Sequence, residues 1–329
     1  MLPGMEPEGL GPVRTFTAPE AMGMRFHEVR AKSVLNRVPG GAYGFSWTIN
    51  PYRGCSHACV YCFARPTHTY LGFDAGRDFE KEIVVKVNAP EVLRAELARP
   101  SWERELVALG TNTDPYQWVE SRYRLTREIL EALDESETPV SVLTKSPLVL
   151  SDIEIFERMA KARPVRVNLS IPTMDEDAWR ATEPHTPSPK ARMEAVAELR
   201  RRGISSGILV APLMPGINDR PDQVEPILEA AYSAQADFVT PIALNLRKET
   251  RDVFFEWLGA EKPDLVARYE KLFPPGRGRL PKTEQARITA PVREGRLRHP
   301  GRTDRPAMKP RNLDPPKPPP RPARQKKLF

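Results

Sequence analysis

The stretch that decides the fold is residues 50–63, which read NPYRGCSHACVYCF. It contains Cys55, Cys59 and Cys62, the three cysteines of a 329-residue chain, within eight positions. A disulfide framework needs an even and dispersed set of cysteines, and a reducing compartment would not maintain one. Three clustered thiols therefore predict a metal site.

Two kinds of metal site fit this spacing. Three thiolates from one compact CxxxCxxC loop can hold three irons of a [4Fe–4S] cube, and the fourth iron keeps an open coordination position because the chain has no fourth cysteine. The alternative is a zinc site in which His57 or His68 completes a Cys₃His set. Structural zinc sites more often pair two CxxC units, and the chain has no second pair. The spacing favours the iron–sulfur site.

Short β-branched runs alternate with helical periodicity over most of the chain. Leu125, Ile129, Ala132 and Leu133 form one apolar helical stripe. Several predicted strands are almost wholly apolar, as parallel strands buried on both faces are. The predicted strands are residues 45–49, 83–87, 106–109, 140–143, 165–169, 208–211 and 238–244. About six βα units predict an α/β protein whose parallel sheet is rolled into a partial barrel, with a flat doubly wound sheet as the alternative.

Charge is distributed unevenly along the chain. The last 55 residues, from Pro275, carry 16 Lys and Arg, 4 Asp and Glu and 12 Pro, whereas the preceding 274 residues carry a net charge of −5. The body is therefore not a basic nucleic-acid-binding surface by composition. The sequence predicts a Gly- and Pro-rich lead-in over 1–45, a core domain over 46–273 and a disordered, basic, Pro-rich tail over 274–329.

Five further stretches follow the cysteine loop in order. They read GTNTDPYQ (110–117), TKSP (144–147), NLSI (168–171), EPHTPSP (183–189) and APLMPGIND (211–219). Together with the CxxxCxxC loop at the start of the predicted barrel, this series resembles the radical S-adenosylmethionine (SAM) superfamily, and within it the branch similar to spore photoproduct lyase. The resemblance runs from about Lys32 to Leu272 and implies the partial (β/α)₆ barrel of that superfamily.

The resemblance implies two cofactors, a [4Fe–4S] cluster held by Cys55, Cys59 and Cys62, and SAM chelated by the open iron. One-electron reduction of the cluster then cleaves SAM to methionine and a 5′-deoxyadenosyl radical, which takes a hydrogen atom from the substrate. The cofactors carry this chemistry, and the protein orients them and excludes water.

The resemblance also implies which residues bind SAM, and they follow the strands at the end where a barrel places its working residues. Asp114, with Thr111 and Thr113, would meet the SAM amino group, and Lys145 would pair with its carboxylate. Ser170 would contact the ribose, with Asn168 as its neighbour in that contact. Tyr61 would pack against adenine.

One feature departs from spore photoproduct lyase, which returns a hydrogen atom to its product radical from a cysteine just after the second strand. Here residues 111–114 read TNTD, and every cysteine lies in the cluster loop. A threonine O–H bond is too strong to replace a thiol, so thymine-dimer reversal by the same route is not expected. Tyr116 is the candidate radical relay. The cysteine count also excludes a second, auxiliary cluster.

Three functions remain open from the sequence: a radical SAM enzyme with nucleic acid as a candidate substrate, a radical modifier of another protein, and a zinc-stabilised nucleic-acid-binding protein that uses its basic tail. Either enzyme would need an electron donor such as flavodoxin or ferredoxin. Gln325, Leu328 and Phe329 resemble the short peptides that bacterial DNA sliding clamps accept. The sequence has no signal peptide and no apolar run long enough to span a bilayer, which predicts a cytoplasmic protein without a membrane partner.

Overall fold

The computed structural model describes residues 13–21, 23–38 and 44–297. Its strands are β1 (Arg14–Ala18), β2 (Met24–Val29), β3 (Asn36–Arg37), β4 (Trp47–Ile49), β5 (Tyr52–Arg53), β6 (Glu82–Lys86), β7 (Val107–Leu109), β8 (Val140–Thr144), β9 (Val165–Ser170), β10 (Ile208–Leu213) and β11 (Val239–Ala243). Its helices are α1 (Arg77–Lys81), α2 (Ala89–Leu97), α3 (Glu120–Tyr123), α4 (Leu125–Glu135), α5 (Ile153–Ala162), α6 (Glu176–Thr182), α7 (Pro189–Arg201), α8 (Pro221–Ser233), α9 (Glu249–Glu261), α10 (Val266–Leu272) and α11 (Lys282–Leu297).

The larger sheet has seven strands in the order β11-β10-β9-β8-β7-β4-β3. Its six strands from β11 to β4 pair in parallel, and β3 pairs antiparallel with β4 at one edge. The spatial order follows the chain without reversal, whereas a doubly wound sheet reverses at a switch point. This topology confirms the predicted partial (β/α)₆ barrel and rules out the doubly wound alternative.

The parallel strands and the helices outside them enclose one large apolar core. Val140 in β8 pairs with Val107 on one side and with Val165 on the other, so apolar side chains meet across three strands. Helix α4 turns its predicted stripe inward, and Ile129 and Leu133 are fully buried. Each such aliphatic side chain stabilises the fold by about 1.5–3 kcal/mol relative to exposure.

A second sheet, in the order β1-β2-β6-β5, lies beside the cysteine loop. Its strands β1 and β2 fall within residues 1–45, so the prediction that this segment is only a lead-in is wrong. Phe16 in β1 contacts the fully buried Phe26 in β2 at 5.6 Å between ring centroids. The apolar residues that fix these strands find their partners in β6 and around Tyr52, which lie far along the chain. Local composition does not reveal that pairing.

The boundary predicted at residue 274 is also corrected, because helix α11 lies within the predicted tail. Ile288 and Val292 of α11 are fully buried, and the helix packs on β11 and α8. The counts of charged residues and prolines over the last 55 residues do not reveal this amphipathic helix, because they describe the whole predicted tail at once. The predicted clamp-binding residues Gln325, Leu328 and Phe329 lie outside the described residues. Within the described ranges, no helix is both long and apolar enough to cross a membrane.

Candidate active site

The cysteine loop is a compact turn held against the second sheet. Gly54 adopts φ +80°, and a Cβ at this position would come within 2.8 Å of the Phe79 carbonyl oxygen. That close approach lets the Cys55 amide donate to the same carbonyl at 2.9 Å. Cys59 and Cys55 are buried and Cys62 is partly exposed. The loop thus gathers three thiols and leaves one edge of the group nearer to solvent.

Burial dominates the electrostatics of these thiols. It raises the pKa of Cys59 to about 12, with the Glu183 carboxylate adding to the rise. It also raises the pKa of Cys55 well above its usual value, with Asp114 as the next contributor. Thiolates are the form that ligates metal, so the metal-free Cys55 and Cys59 thiols are protonated and metal binding must release their protons.

The two histidines suggested as zinc ligands have other partners. His57 places Nδ1 3.4 Å from Asp114 Oδ2, and burial lowers the pKa of its imidazole. His68 donates from Nε2 to the Glu82 carbonyl at 2.8 Å. Across the described part of the chain, no three Cys, His, Asp or Glu side chains surround one point as a single metal ion requires. The donor set that remains is the three thiols, which is the set that a site-differentiated [4Fe–4S] cluster uses.

The loop after β7 braces the cysteine loop. Gln117 accepts from the Ser56 amide at 2.8 Å and donates to the Gly54 carbonyl at 3.1 Å. Thr113 donates its hydroxyl to the same carbonyl at 2.7 Å. Thr113, predicted to face SAM, therefore holds the cysteine loop, and Gln117 is a bracing residue that the sequence analysis did not single out.

Asp114 connects the ends of two neighbouring strands. Its Oδ1 accepts from the Thr144 hydroxyl at 2.6 Å and from the Tyr116 amide at 2.9 Å, and its Oδ2 accepts from the Lys145 amide at 2.7 Å. Three hydrogen bonds fix the orientation of this carboxylate beside His57. The Thr111 hydroxyl lies next to this group, 3.4 Å from Asn50 Oδ1.

Lys145, at the end of β8, reaches across to β9. Its Nζ donates to Ser170 Oγ at 3.0 Å and lies 3.6 Å from Glu183 Oε1. The ammonium also lies 5.8 Å from the centroid of the Tyr61 ring. Three of the predicted SAM-binding residues, Tyr61, Lys145 and Ser170, are thus brought together at the carboxyl edge of the sheet.

A buried ion pair lies behind these three residues. Glu183 accepts from the Tyr61 hydroxyl through Oε1, and its Oε2 lies 2.6 Å from Arg192 Nη2. Arg192 donates in addition to the Ser170 carbonyl at 2.9 Å. Burial alone would raise the pKa of Glu183, but the charges of Arg192 and Lys145 hold it below its usual value. Glu183 begins the EPHTPSP stretch (183–189), one of the five stretches that follow the cysteine loop.

Two further predicted residues form hydrogen bonds with partners outside this group. Tyr116 is fully buried in the apolar core, and its hydroxyl donates to Asp152 Oδ2 at 2.9 Å, beside Arg127. The structure therefore does not present Tyr116 as an open relay. Asn168 accepts from the Gly207 amide at 3.3 Å, which links β9 to the start of β10.

Comparisons with known proteins identify the family of this chain. The Radical SAM superfamily model matches residues 49–230, which begin in β4 and end in α8. An uncharacterized protein of Mycobacterium tuberculosis is 46% identical over 273 residues, covering 83% of this chain and 80% of its own length. A radical SAM Nalpha-GlyT isomerase of Pseudomonas phage M6 is 29% identical over 168 residues, covering 51% of this chain and 33% of its own.

Among solved structures, spore photoproduct lyase complexed with a dinucleoside spore photoproduct has the same fold. The TM-score is 0.63 at 16% sequence identity, and the match covers 84% of this chain and 80% of that one. The family match spans more than half of the chain and contains the cysteine loop together with Lys145, Ser170 and Glu183. This chain belongs to the radical SAM superfamily and is a radical SAM enzyme.

Proposed function

We propose that Cys55, Cys59 and Cys62 hold one [4Fe–4S] cluster and that the enzyme binds and cleaves SAM beside it. One observation carries this proposal: Tyr61 and Lys145 lie together at one edge of the sheet. They are next to a loop that offers three thiols and no fourth cysteine ligand. When bound and reduced, such a cluster supplies the electron that splits SAM into methionine and a 5′-deoxyadenosyl radical.

The residues of the chain orient SAM and exclude water. The Lys145 ammonium is the cation available to a carboxylate, because the neighbouring Glu183 is already paired with Arg192. Ser170 offers a hydroxyl next to it for a ribose or carboxylate oxygen. Asp114 is fixed beside the loop, where its negative charge suits the SAM ammonium group. Tyr61 contributes an aromatic face to the same space.

Anaerobic reconstitution with iron and sulfide tests the cluster assignment. We expect close to four irons and four sulfides per chain, absorbance near 400 nm, and SAM cleavage under dithionite. Cys59→Ala should lose all three, whereas one bound zinc per chain and no SAM cleavage would refute the proposal. His185→Ala, which changes a metal-binding residue type at an exposed site, is the matched control and should retain them.

For the substrate we propose nucleic acid. A structural neighbour supports this class, because the solved spore photoproduct lyase is complexed with a dinucleoside spore photoproduct. The chain has no cysteine outside its cluster loop, so the reaction differs from the lyase route that uses a cysteine hydrogen donor. Incubation with SAM deuterated at the 5′ carbon should transfer deuterium to a nucleic-acid substrate. Transfer to protein instead would make the enzyme a protein modifier.

Two partners complete the proposal. The enzyme needs a one-electron donor, for which flavodoxin and ferredoxin are the candidates. The segment that contains Gln325, Leu328 and Phe329 would bind a bacterial sliding clamp, with the two apolar side chains in its pocket. Titration of a labelled peptide of residues 320–329 with purified clamp tests this binding. Micromolar affinity that is lost in Leu328→Ala/Phe329→Ala would support it, and absence of binding at high micromolar concentration would refute it.

A further inference from the structure

A cleft of about 460 Å³ lies between β11 and α11. Strand β11 is the end strand of the seven-stranded sheet and pairs only with β10 within the described residues. Pro241, Ile242 and Ala243 form the floor, and Ile242 is 44% exposed. Gln285 and Thr289 of α11 form the facing wall. The cleft is therefore an open groove with an apolar floor and a polar wall.

The charged side chains that line this cleft are all cations. Arg279, Lys282 and Arg293 line it and are exposed, and its lining contains no Asp or Glu. Lys282 and Arg293 belong to one stripe of α11, together with Gln285, Ala286 and Thr289, at helical spacing. No ion pair of these three cations occurs within the described ranges. The groove therefore carries three positive charges that have no ion-pair partner among the residues the structure describes.

The opposite side of α11 shows a different arrangement. A second cleft there is lined by Asp219, Glu225 and Glu294 as well as by Arg287. Arg287 is ion-paired with Asp219 at 2.6 Å and with Glu284 at 2.8 Å. The fold thus neutralises a cation on one face of α11 and leaves those on the other face available to a ligand.

The cleft lies near the carboxyl edge of the seven-stranded sheet, the edge that holds Lys145 and Ser170. In β11, Ala243 pairs with Leu213 at the carboxyl end of β10, and Lys145 and Ser170 lie at the corresponding ends of β8 and β9. Lys282 and Arg293 are eleven residues apart, which is about 16 Å along a helix. Measured along the axis of a duplex, that length corresponds to about five phosphates of one strand, which rise by about 3.4 Å each.

We propose that this cleft binds the sugar–phosphate backbone of a nucleic-acid substrate and guides it to the carboxyl edge of the sheet. Arg279, Lys282 and Arg293 contact phosphates, and Ile242 contacts the sugar or base beneath them. A small anion would occupy only one end of so long a row of cations, and a polyanion occupies all of it. The inference rests on the nucleic-acid substrate class proposed above and adds the surface that receives it.

The test measures the salt dependence of oligonucleotide binding to the full-length protein by fluorescence anisotropy. Each phosphate contact contributes about 0.7–0.9 to the slope of log K against log salt concentration. Lys282→Ala/Arg293→Ala should therefore reduce the slope by about 1.5 and weaken binding at low salt. The matched control is Lys161→Ala/Lys190→Ala, which removes two exposed lysines from α5 and α7 and should leave affinity and slope unchanged.

Two results would overturn the inference while the radical SAM assignment stands. In the first, the cleft variant binds oligonucleotide with the slope of the parent. In the second, it loses affinity for an acidic electron-transfer protein and keeps its affinity for oligonucleotide, which would make the cleft a protein-docking surface. SAM cleavage without nucleic acid is measured in parallel. If the parent cleaves SAM but binds no oligonucleotide, the nucleic-acid substrate class and the cleft assignment both fail, and the cluster assignment survives.

Discussion

Arg192 and Glu183 form a 2.6 Å ion pair in which neither side chain is exposed to solvent. Such a pair is costly to desolvate, and its worth depends on how well its remaining hydrogen-bonding groups are satisfied. Here the Glu183 carboxylate also accepts from Tyr61, and Arg192 donates to Ser170 and Pro187. The pair therefore connects the cysteine loop, through Tyr61, to the end of β9. Lys145 lies 3.6 Å from the other oxygen of the same Glu183 carboxylate, so two cations flank one buried anion.

Breaking this pair should destabilise the fold strongly. Arg192→Met removes the closer of the two cations beside the buried Glu183 carboxylate, which costs about 3–5 kcal/mol of the free energy of unfolding. Urea denaturation measures that loss. Arg201→Met, on the exposed side of the same helix, removes a solvated ion pair with Glu198 and should cause little change. Equal stability of the two variants would show that the buried pair is not what holds these elements together.

The sequence predicted the barrel because its signals are local. Nearly continuous apolar runs such as Val140–Thr144 mark buried parallel strands, and the stripe through Ile129 and Leu133 marks a covering helix. The cysteine loop and Lys145 were predicted from the motifs that contain them. These features depend on neighbours in sequence or on a spacing of a few residues, so a single sequence reveals them.

The parts that the sequence did not predict depend on contacts between distant residues. Strand β2 pairs with β6, more than fifty positions later, so Phe26 gains its partners only in the folded chain. Gln117 reaches Ser56 across 61 positions, and Glu183 reaches Tyr61 across 122. The hydrogen-bond partner of Tyr116, Asp152, likewise belongs to another element. A hydroxyl in a motif gives no indication of the direction in which it points.

Gly110 should tolerate no side chain. It adopts φ +88°, and an added Cβ would lie 1.9 Å from the Leu143 carbonyl oxygen, so backbone must move. Gly203 has a similar φ of +77° with nothing within 4 Å of an added Cβ. Gly203→Ala should therefore show only the conformational cost, about 1 kcal/mol, and Gly110→Ala several times more. Thermal unfolding measures the loss of stability in each variant. Equal losses would mean that the positive φ alone accounts for both, without a contribution from the Leu143 carbonyl.

Glu120 should make stability depend on pH. Burial raises the pKa of this carboxyl from 4.5 to about 7, although hydrogen bonds from Tyr52 and Thr126 oppose the rise. The folded state then binds the proton more tightly than the unfolded state. Its contribution to stability is complete below pH 4.5 and is lost as the pH rises to about 7.

Glu120→Gln removes this titration and keeps the shape of the side chain. The variant should gain stability relative to the parent between those two pH values, on the order of 1–3 kcal/mol. Urea denaturation across that range measures the difference. A constant difference between parent and variant would show that Glu120 is already ionised in the fold. Glu131→Gln on α4 is the control, since Glu131 is partly exposed.

Lys145 should control the affinity for SAM. Its ammonium lies between Ser170 and Tyr61, 3.6 Å from one carboxylate oxygen of Glu183, while the other oxygen of that carboxylate is paired with Arg192. A charge-assisted hydrogen bond to the SAM carboxylate contributes about 1–3 kcal/mol, so Lys145→Ala should weaken SAM binding by roughly 5- to 150-fold. Calorimetry on the anaerobically reconstituted protein measures this change.

Two further variants separate binding from folding at this position. Lys190→Ala removes an exposed lysine from the start of α7 and should bind SAM as the parent does. Lys145→Arg keeps the charge but replaces a compact ammonium with a planar guanidinium, so it should recover only part of the affinity. If Lys145→Ala assembles its cluster fully and binds SAM with parental affinity, Lys145 does no more than close the hydrogen bond to Ser170, and the SAM carboxylate must bind elsewhere.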